Sequence, residues 1–324
     1  MTRLSPFSRM SRRSLIAAGL LAASTLATAQ TKPITLLVPF PAGGATDQLA
    51  RAVAQKLTEQ KGYSIVVENK PGAGAQVAIN SLKLAPADGN TLFIGDIGAF
   101  SLNRHLYQKL SYDTERDLQP ITLVGKAPLF LVVPSNSPYK TAADLVAAGK
   151  AKDLSYGSPG MGTIAHVGAE MLRAKTGMKI THIPYRGSAP ALVDLAAGQI
   201  PFALDPLASS TPFLKDGRLR ALAVSTATRT KLMPDLPTLA ESGATGVSFA
   251  AWFGIAAKAG TPAELVRKYS KDIGEVASAP DMVKRFADLG IEMAPTTPEG
   301  FAQFIKAEAD AYGPIIQSLK ISLD

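Results

Sequence analysis

Apolar residues follow two spacings along this chain, and their alternation organises it. Residues 34–39 and 91–95 are short, nearly continuous apolar runs, the pattern of strands buried on both faces, and 64–68 and 154–157 read as further strands. Between them apolar positions recur every three or four residues. Leu49, Val53 and Leu57 do so over 48–60, and Ile164, Val167, Met171 and Leu172 after Thr163; both sets predict amphipathic helices. Further helices are expected over 75–84, 189–197, 262–277, 279–288 and 298–320, and further strands over 179–185, 200–204 and 220–224. Thr141-Ala142-Ala143-Asp144 reads as a capping box opening another helix, and Gly198 as a helix stop. Strand alternating with helix predicts a parallel α/β sheet. Two extended runs, 121–134 and 248–257, read as crossings between two lobes. The expected fold class is therefore α/β: a two-lobed arrangement with two mixed, mostly parallel sheets joined by a two-strand hinge. The expected segments are 1–29 as an export signal, 30–125 as the first part of lobe 1, 126–250 as lobe 2, and 251–324 as the rest of lobe 1.

Three strand-to-helix turns look alike: Phe40-Pro41-Ala42-Gly43-Gly44-Ala45-Thr46-Asp47, Gly157-Ser158-Pro159-Gly160-Met161-Gly162-Thr163, and Arg186-Gly187-Ser188. In open α/β sheets ligands sit outside the carboxyl ends of the strands, at such turns. Glycine lets backbone approach a guest, and the first N–H groups of a helix have no internal partner. Thr46 or Asp47 would cap the first helix. A tight turn with no ligand role explains the two glycines of the first turn equally well. If the lobes face each other, several helix N-termini point into one cleft, ready for an anion. Three or four charge-assisted N–H bonds of roughly 1.5–3 kcal/mol each reach the about 8 kcal/mol of micromolar affinity without a cationic side chain.

Composition refines this picture. The 324 residues are 46% hydrophobic and 19% charged, which describes a globular chain. Arg3, Arg9, Arg12 and Arg13 precede an apolar stretch over 15–26, followed by Ala27-Thr28-Ala29, the layout of a secretory signal cleaved after Ala29. Ser11-Arg12-Arg13-Ser14-Leu15-Ile16 also resembles a twin-arginine signal. Removing those four arginines lowers the formal charge from +8 to +4, too little to suggest nucleic acid. The chain has no cysteine, so it has no disulfide, thiol nucleophile or lipidated cysteine. An exported, soluble, unanchored protein is expected.

The motifs speak against several chemistries. Gly157-Ser158-Pro159-Gly160 lacks the spacing of a nucleophile elbow. Gly43-Gly44 lacks the Lys-Ser/Thr of a phosphate loop and the third glycine of a dinucleotide fingerprint. His105, His166 and His182 are the three histidines, and packing roles suit them better than catalysis. No metal-ligand spacing is present, and no cofactor is expected. Asp205 ends a strand and could meet a ligand amine or brace the hinge; Asp47 is a cap before it is a contact. Tyr185, Trp252 and Phe40 are candidates to line the cleft. Arg186 is the cation beside a candidate turn.

The residues together resemble the periplasmic substrate-binding proteins of tripartite tricarboxylate transporters, the Bug family. The resemblance rests on Pro39-Phe40-Pro41-Ala42-Gly43-Gly44-Ala45-Thr46-Asp47, Val67-Glu68-Asn69-Lys70-Pro71-Gly72-Ala73-Gly74 and Ala87-Asp88-Gly89-Asn90-Thr91-Leu92. It extends through Tyr156 to Thr163, His182 to Pro190, Leu219 to Val224, Pro234 to Thr238 and Trp252-Phe253-Gly254. It implies a type II periplasmic-binding fold that closes on a small carboxylate, and a membrane partner of one small and one large subunit. It also implies ligand contacts at Phe40, Gly43, Gly44, Thr46, Ser158, Gly160, Thr163, Tyr185 and Asp205. The chain departs from the family at Phe100-Ser101-Leu102-Asn103-Arg104 and at Gly74-Ala75-Gln76. The expected function is a non-enzymatic, monomeric solute receptor delivering a carboxylate to a transporter. Two other readings are a receptor that signals to a membrane sensor, and a periplasmic hydrolase using Ser158 with His166.

Overall fold

A computed structural model describes residues 32–320 and 322–323. The export signal expected over 1–29 lies outside the described residues. β1 (Ile34–Val38) is apolar throughout apart from Thr35 and runs between two parallel neighbours, β2 (Ile65–Asn69) and β3 (Thr91–Asp96). α1 (Ala45–Lys61) and α2 (Gln76–Leu84) make the connections. Leu49, Val53 and Leu57 of α1 are buried as their spacing predicts, beside β1 and β3 in one core. β3 pairs antiparallel with β9 (Ala250–Lys258), and β9 pairs antiparallel with β4 (Leu118–Pro134).

β4 is the strand on which the molecule turns. It is 17 residues long, and its partner changes along its length. Residues from Leu118 to Pro128 pair with β9, whereas Leu129 to Pro134 pair with β7 (Phe202–Pro206) and β8 (Leu219–Val224). Beyond β7 lie β5 (Leu154–Ser158) and β6 (Ile180–Pro184), parallel to one another. β10 (Glu292–Met293) adds to the edge of β4. The two expected sheets thus share a strand and form one curled path, β2-β1-β3-β9-β4-β7-β5-β6. The return crossing enters β9 from the second lobe: the Phe249 N–H donates to the Ser225 carbonyl at 2.9 Å, just past β8.

The second lobe is built on α5 (Ala142–Ala151), α6 (Ile164–Thr176), α7 (Ser188–Ala196) and α8 (Leu207–Lys215). α3 (Asn103–Leu106) and α4 (Thr114–Asp117) are single-turn helices ahead of β4. The capping box of α5 forms as expected. The Asp144 N–H donates to Thr141 Oγ1 at 3.1 Å, and the Thr141 N–H to Asp144 Oδ2 at 2.9 Å. α9 (Ala263–Ala277), α10 (Pro280–Ala287) and α11 (Pro298–Leu319) return to the first lobe. Phe301 of α11 meets Phe100 and Trp252 edge-on, with centroids 5.3 and 5.8 Å apart. This aromatic cluster fills the core beneath β3 and β9, and aromatic pairs of this kind add about 0.5–1.5 kcal/mol each beyond the area they bury. No helix of the described residues is long and apolar enough to cross a membrane.

Candidate functional site between the two lobes

A cavity of about 250 Å³ lies where the strand ends of the two lobes meet. From the first lobe come Phe40 after β1, Gly74 and Ala75 before α2, and Asp96 with the segment 97–99 after β3. Leu102, Asn103, Leu106 and Tyr107 continue that wall. From the second lobe come Met161, Gly162, Thr163 and Ile164, the entry to α6. Ala251 of β9 and Leu323 complete the lining, and the Leu323 N–H donates to the Leu106 carbonyl at 2.9 Å. The place of the cavity follows the strand-end rule for open α/β sheets.

The second-lobe wall is a helix N-terminus. Thr163 caps α6, its Oγ1 accepting the His166 N–H at 3.4 Å, and the first intrahelical bond runs from the Val167 N–H to the Thr163 carbonyl at 3.0 Å. The Ile164 and Ala165 N–H groups precede that first bond and have no partner of this helix. Such a terminus favours an anion through both its free N–H groups and its dipole.

The first turn differs in detail from its sequence reading. Gly44, not Thr46 or Asp47, is the N-cap of α1, and it makes no side-chain cap bond. Asp47 braces the turn from inside the helix. Its carboxylate accepts the Gly43 N–H at 2.8 Å, Arg51 Nε at 2.9 Å and Asn69 Nδ2 at 2.9 Å. Burial opposes its charge, but the bonds from Arg51, Gly43 and Asn69 prevail and hold its pKa at about 2. Gly43 has φ of 91°, whereas Gly44 has φ of −72° and an ordinary extended conformation.

Of the nine residues singled out by the resemblance, Phe40 and Thr163 line the cavity. Gly43, Gly44 and Thr46 sit in the turn that follows Phe40 without lining it. Ser158 and Gly160 lie at the end of β5, just ahead of the lining residues. Ser158 is 1% exposed, and its Oγ accepts the Gly160 N–H at 3.2 Å and lies 2.7 Å from His182 Nε2. This corrects the pairing of Ser158 with His166. The His166 ring instead accepts the Gly162 N–H through Nδ1 at 3.1 Å and stacks on His182, with centroids 3.9 Å apart. Burial lowers the pKa of both rings, that of His182 to about 4 with the neighbouring His166 adding to the fall.

The remaining candidates have structural partners. The Tyr185 hydroxyl donates to Asp194 at 2.9 Å, and the Tyr185 N–H to the Ser158 carbonyl at 3.0 Å. Gly187 joins the third turn to the second by donating to the Pro159 carbonyl at 2.9 Å. Arg186 is exposed and does not line the cavity. Asp205 is 1% exposed, and its Oδ2 accepts the hydroxyls of Ser209 and Ser210 at 2.5 and 3.0 Å. Burial pushes it up to about 6 despite bonds from neighbouring serines. Trp252 is fully buried and donates to Glu308 at 2.9 Å, away from this cavity. Sequence reasoning missed Asp96 and Tyr107. Asp96 follows the apolar run of β3 directly, so the strand-end rule applied to a fourth turn would have found it. The two segments that depart from the family pattern, at Gly74-Ala75 and around Asn103, both border the cavity.

Comparison with known proteins gives this geometry a context. The family model described as tripartite tricarboxylate transporter family receptor matches residues 49–321. A UPF0065 protein of Pseudomonas sp. (strain P51) is 34% identical over 90% of this chain and 88% of its own length. Protein BugT of Bordetella pertussis is 31% identical over 93% of each chain. Among solved structures, R. palustris Rpa4515 with adipate superposes with a TM-score of 0.78 at 34% identity, covering 91% of this chain and 99% of that one. MatC of Rhodopseudomonas palustris, with bound malate, gives 0.72 at 28% identity over 89% and 99%. A TctC solute-binding protein from Polaromonas gives 0.80 at 28% identity over 90% and 100%. With the two-lobed fold and the cavity at its strand ends, these matches place the chain in the Bug-type receptor family of tripartite tricarboxylate transporters.

Proposed function

We propose that this protein is an exported, non-enzymatic receptor that captures a small carboxylate between its lobes and delivers it to a membrane transporter. The observation that carries the reading is the 250 Å³ cavity walled by strand-end turns and the N-terminus of α6. Its size suits a small organic acid, and the helix terminus supplies N–H donors without a cationic side chain. Relatives whose solved structures hold adipate or malate support the ligand class. The carboxylate lies against Thr163 and the first N–H groups of α6, and the turn carrying Gly43, Gly44 and Thr46 approaches from the other lobe through Phe40. Ser158, Gly160, Tyr185 and Asp205 shape that site from behind. The hinge lies near residues 125–126 and 250–251, where β4 and the approach to β9 pass between the lobes. The receptor works as a monomer in the periplasm without a cofactor, and its transporter has one small and one large subunit.

A thermal-shift screen of the mature protein with aliphatic, aromatic and amino-bearing carboxylates tests this. A ligand at 100 times its dissociation constant adds about 2.7 kcal/mol, a shift of several degrees. A chain that no carboxylate stabilises would sink the proposal.

A further inference from the structure

The cavity wall contains an element that a receptor for plain carboxylates does not need. Asp96 stands at the carboxyl end of β3 and lines the cavity, half-buried. It is the charged side chain among the described lining residues; none of them is a lysine, arginine or histidine. Its Oδ1 lies 3.3 Å from the Ala99 N–H. Burial pushes its pKa up, and the groups that work against this shift are backbone N–H donors at Ala99, Asp96 and Gly98. Thus Asp96 has hydrogen-bond support from its own turn but, among the described residues, no cation beside it.

The opposite wall has the reverse polarity. There Gly162, Thr163 and Ile164 present the N-terminal end of α6, which attracts negative charge. One small cavity therefore offers a carboxyl group from the first lobe, which a ligand ammonium beside it would hold ionised, and a positive helix end from the second. A plain diacid satisfies the helix end and sets its other carboxylate in a cavity that already holds one. A ligand bearing both charges satisfies both walls and bridges the lobes.

Building on the receptor reading above, we infer that Asp96 is a specificity-determining residue that receives the ammonium group of an amino-acid-like ligand, whose carboxylate meets the N-terminus of α6. The ligand class is a zwitterionic amino acid, not an unsubstituted dicarboxylate. The remaining wall fits a short carbon skeleton: Phe40, Ile97, Ala99 and Leu102 are apolar, and the Tyr107 hydroxyl stands close to Gly74.

The test is calorimetric titration of the mature protein with two matched pairs, succinate against aspartate and adipate against 2-aminoadipate. The amino member of at least one pair should bind at least tenfold more tightly than its plain partner. Asp96→Asn should reduce that preference to within about threefold, chiefly by weakening the amino acid. The parent's own preference is decisive even if the variant fails to fold, and circular dichroism identifies that case. Plain acids bound as tightly as their amino partners in both pairs, or a preference that survives Asp96→Asn, overturn the inference and leave the carboxylate-receptor reading standing. If neither member of either pair binds, the inference falls; the receptor reading falls with it only when the wider carboxylate screen also finds no ligand.

Discussion

Replacing Asp47 with alanine probes the turn that presents Phe40 to the cavity. The Asp47 side chain is 3% exposed and ties together three partners: the Gly43 N–H, Arg51 and Asn69. The Arg51 side chain is 51% exposed and regains water when the carboxylate is removed, so its share is at most about 1 kcal/mol. Bonds from Gly43 and Asn69 to a charged acceptor are each worth about 1.5–3 kcal/mol at the upper end of mutational experience. The pKa offers a second route to the figure. A fall from 3.8 to about 2 corresponds to about 2 kcal/mol. We therefore expect Asp47→Ala to cost about 2–3 kcal/mol near pH 7, or roughly 5–10 °C in melting temperature for a chain of this size. The sign with pH is fixed. Because the folded pKa lies below the unfolded one, the contribution is complete above about 4 and disappears as pH falls toward 2. Urea unfolding of parent and variant between about pH 7 and pH 3 measures this difference. A deficit below about 0.5 kcal/mol at pH 7, or one that widens on acidification, would refute the reasoning.

Asp205 is buried with its pKa raised from 3.8 to about 6, so its charge opposes folding above pH 6 and the penalty vanishes as pH falls through 6 toward 4; Asp205→Asn should stabilise the protein by about 1–3 kcal/mol near pH 7.5, with the gain fading by pH 4, and a variant less stable at pH 7.5 would contradict this in chemical-unfolding experiments. Small-angle scattering with a saturating carboxylate should show compaction if the lobes close about β4 and β9; a profile unchanged by a ligand that calorimetry shows to bind would count against closure.

Much of the fold could be read from apolar spacing because its elements are locally consistent. α1, α6 and α11 occupy the segments that three- and four-residue spacing marks, and β1, β5 and β8 the short apolar runs. α8 was not visible, since Pro212 interrupts a segment of Ser and Thr; tertiary contact with α7 and the sheet holds it. The sharing of β4 between both lobes was also out of reach, because strand pairing is a long-range property that a continuous apolar run does not encode. At the site, the turns were legible from their glycines, but the side-chain partners were not. Ser158 could face either His166 or His182 on spacing alone, and the parallel register of β5 with β6, which sets Ser158 beside Pro184, favours His182. Gly43 and Gly44 are indistinguishable in sequence, and the bond from Gly43 to Asp47 decides which of them takes positive φ.

The central claim is that a carboxylate binds in the cavity between the lobes. The most direct measurement is calorimetry of the best acid from the screen on the parent and on Gly98→Leu. Gly98 lines the cavity, and a Cβ placed there comes within 3.1 Å of Asp96 Oδ1, so a leucine occupies ligand space without demanding positive φ. The account predicts one ligand per chain with micromolar affinity, about 8 kcal/mol, and a loss of at least tenfold in a folded Gly98→Leu variant. Undiminished affinity in that variant would place the ligand elsewhere and contradict the account.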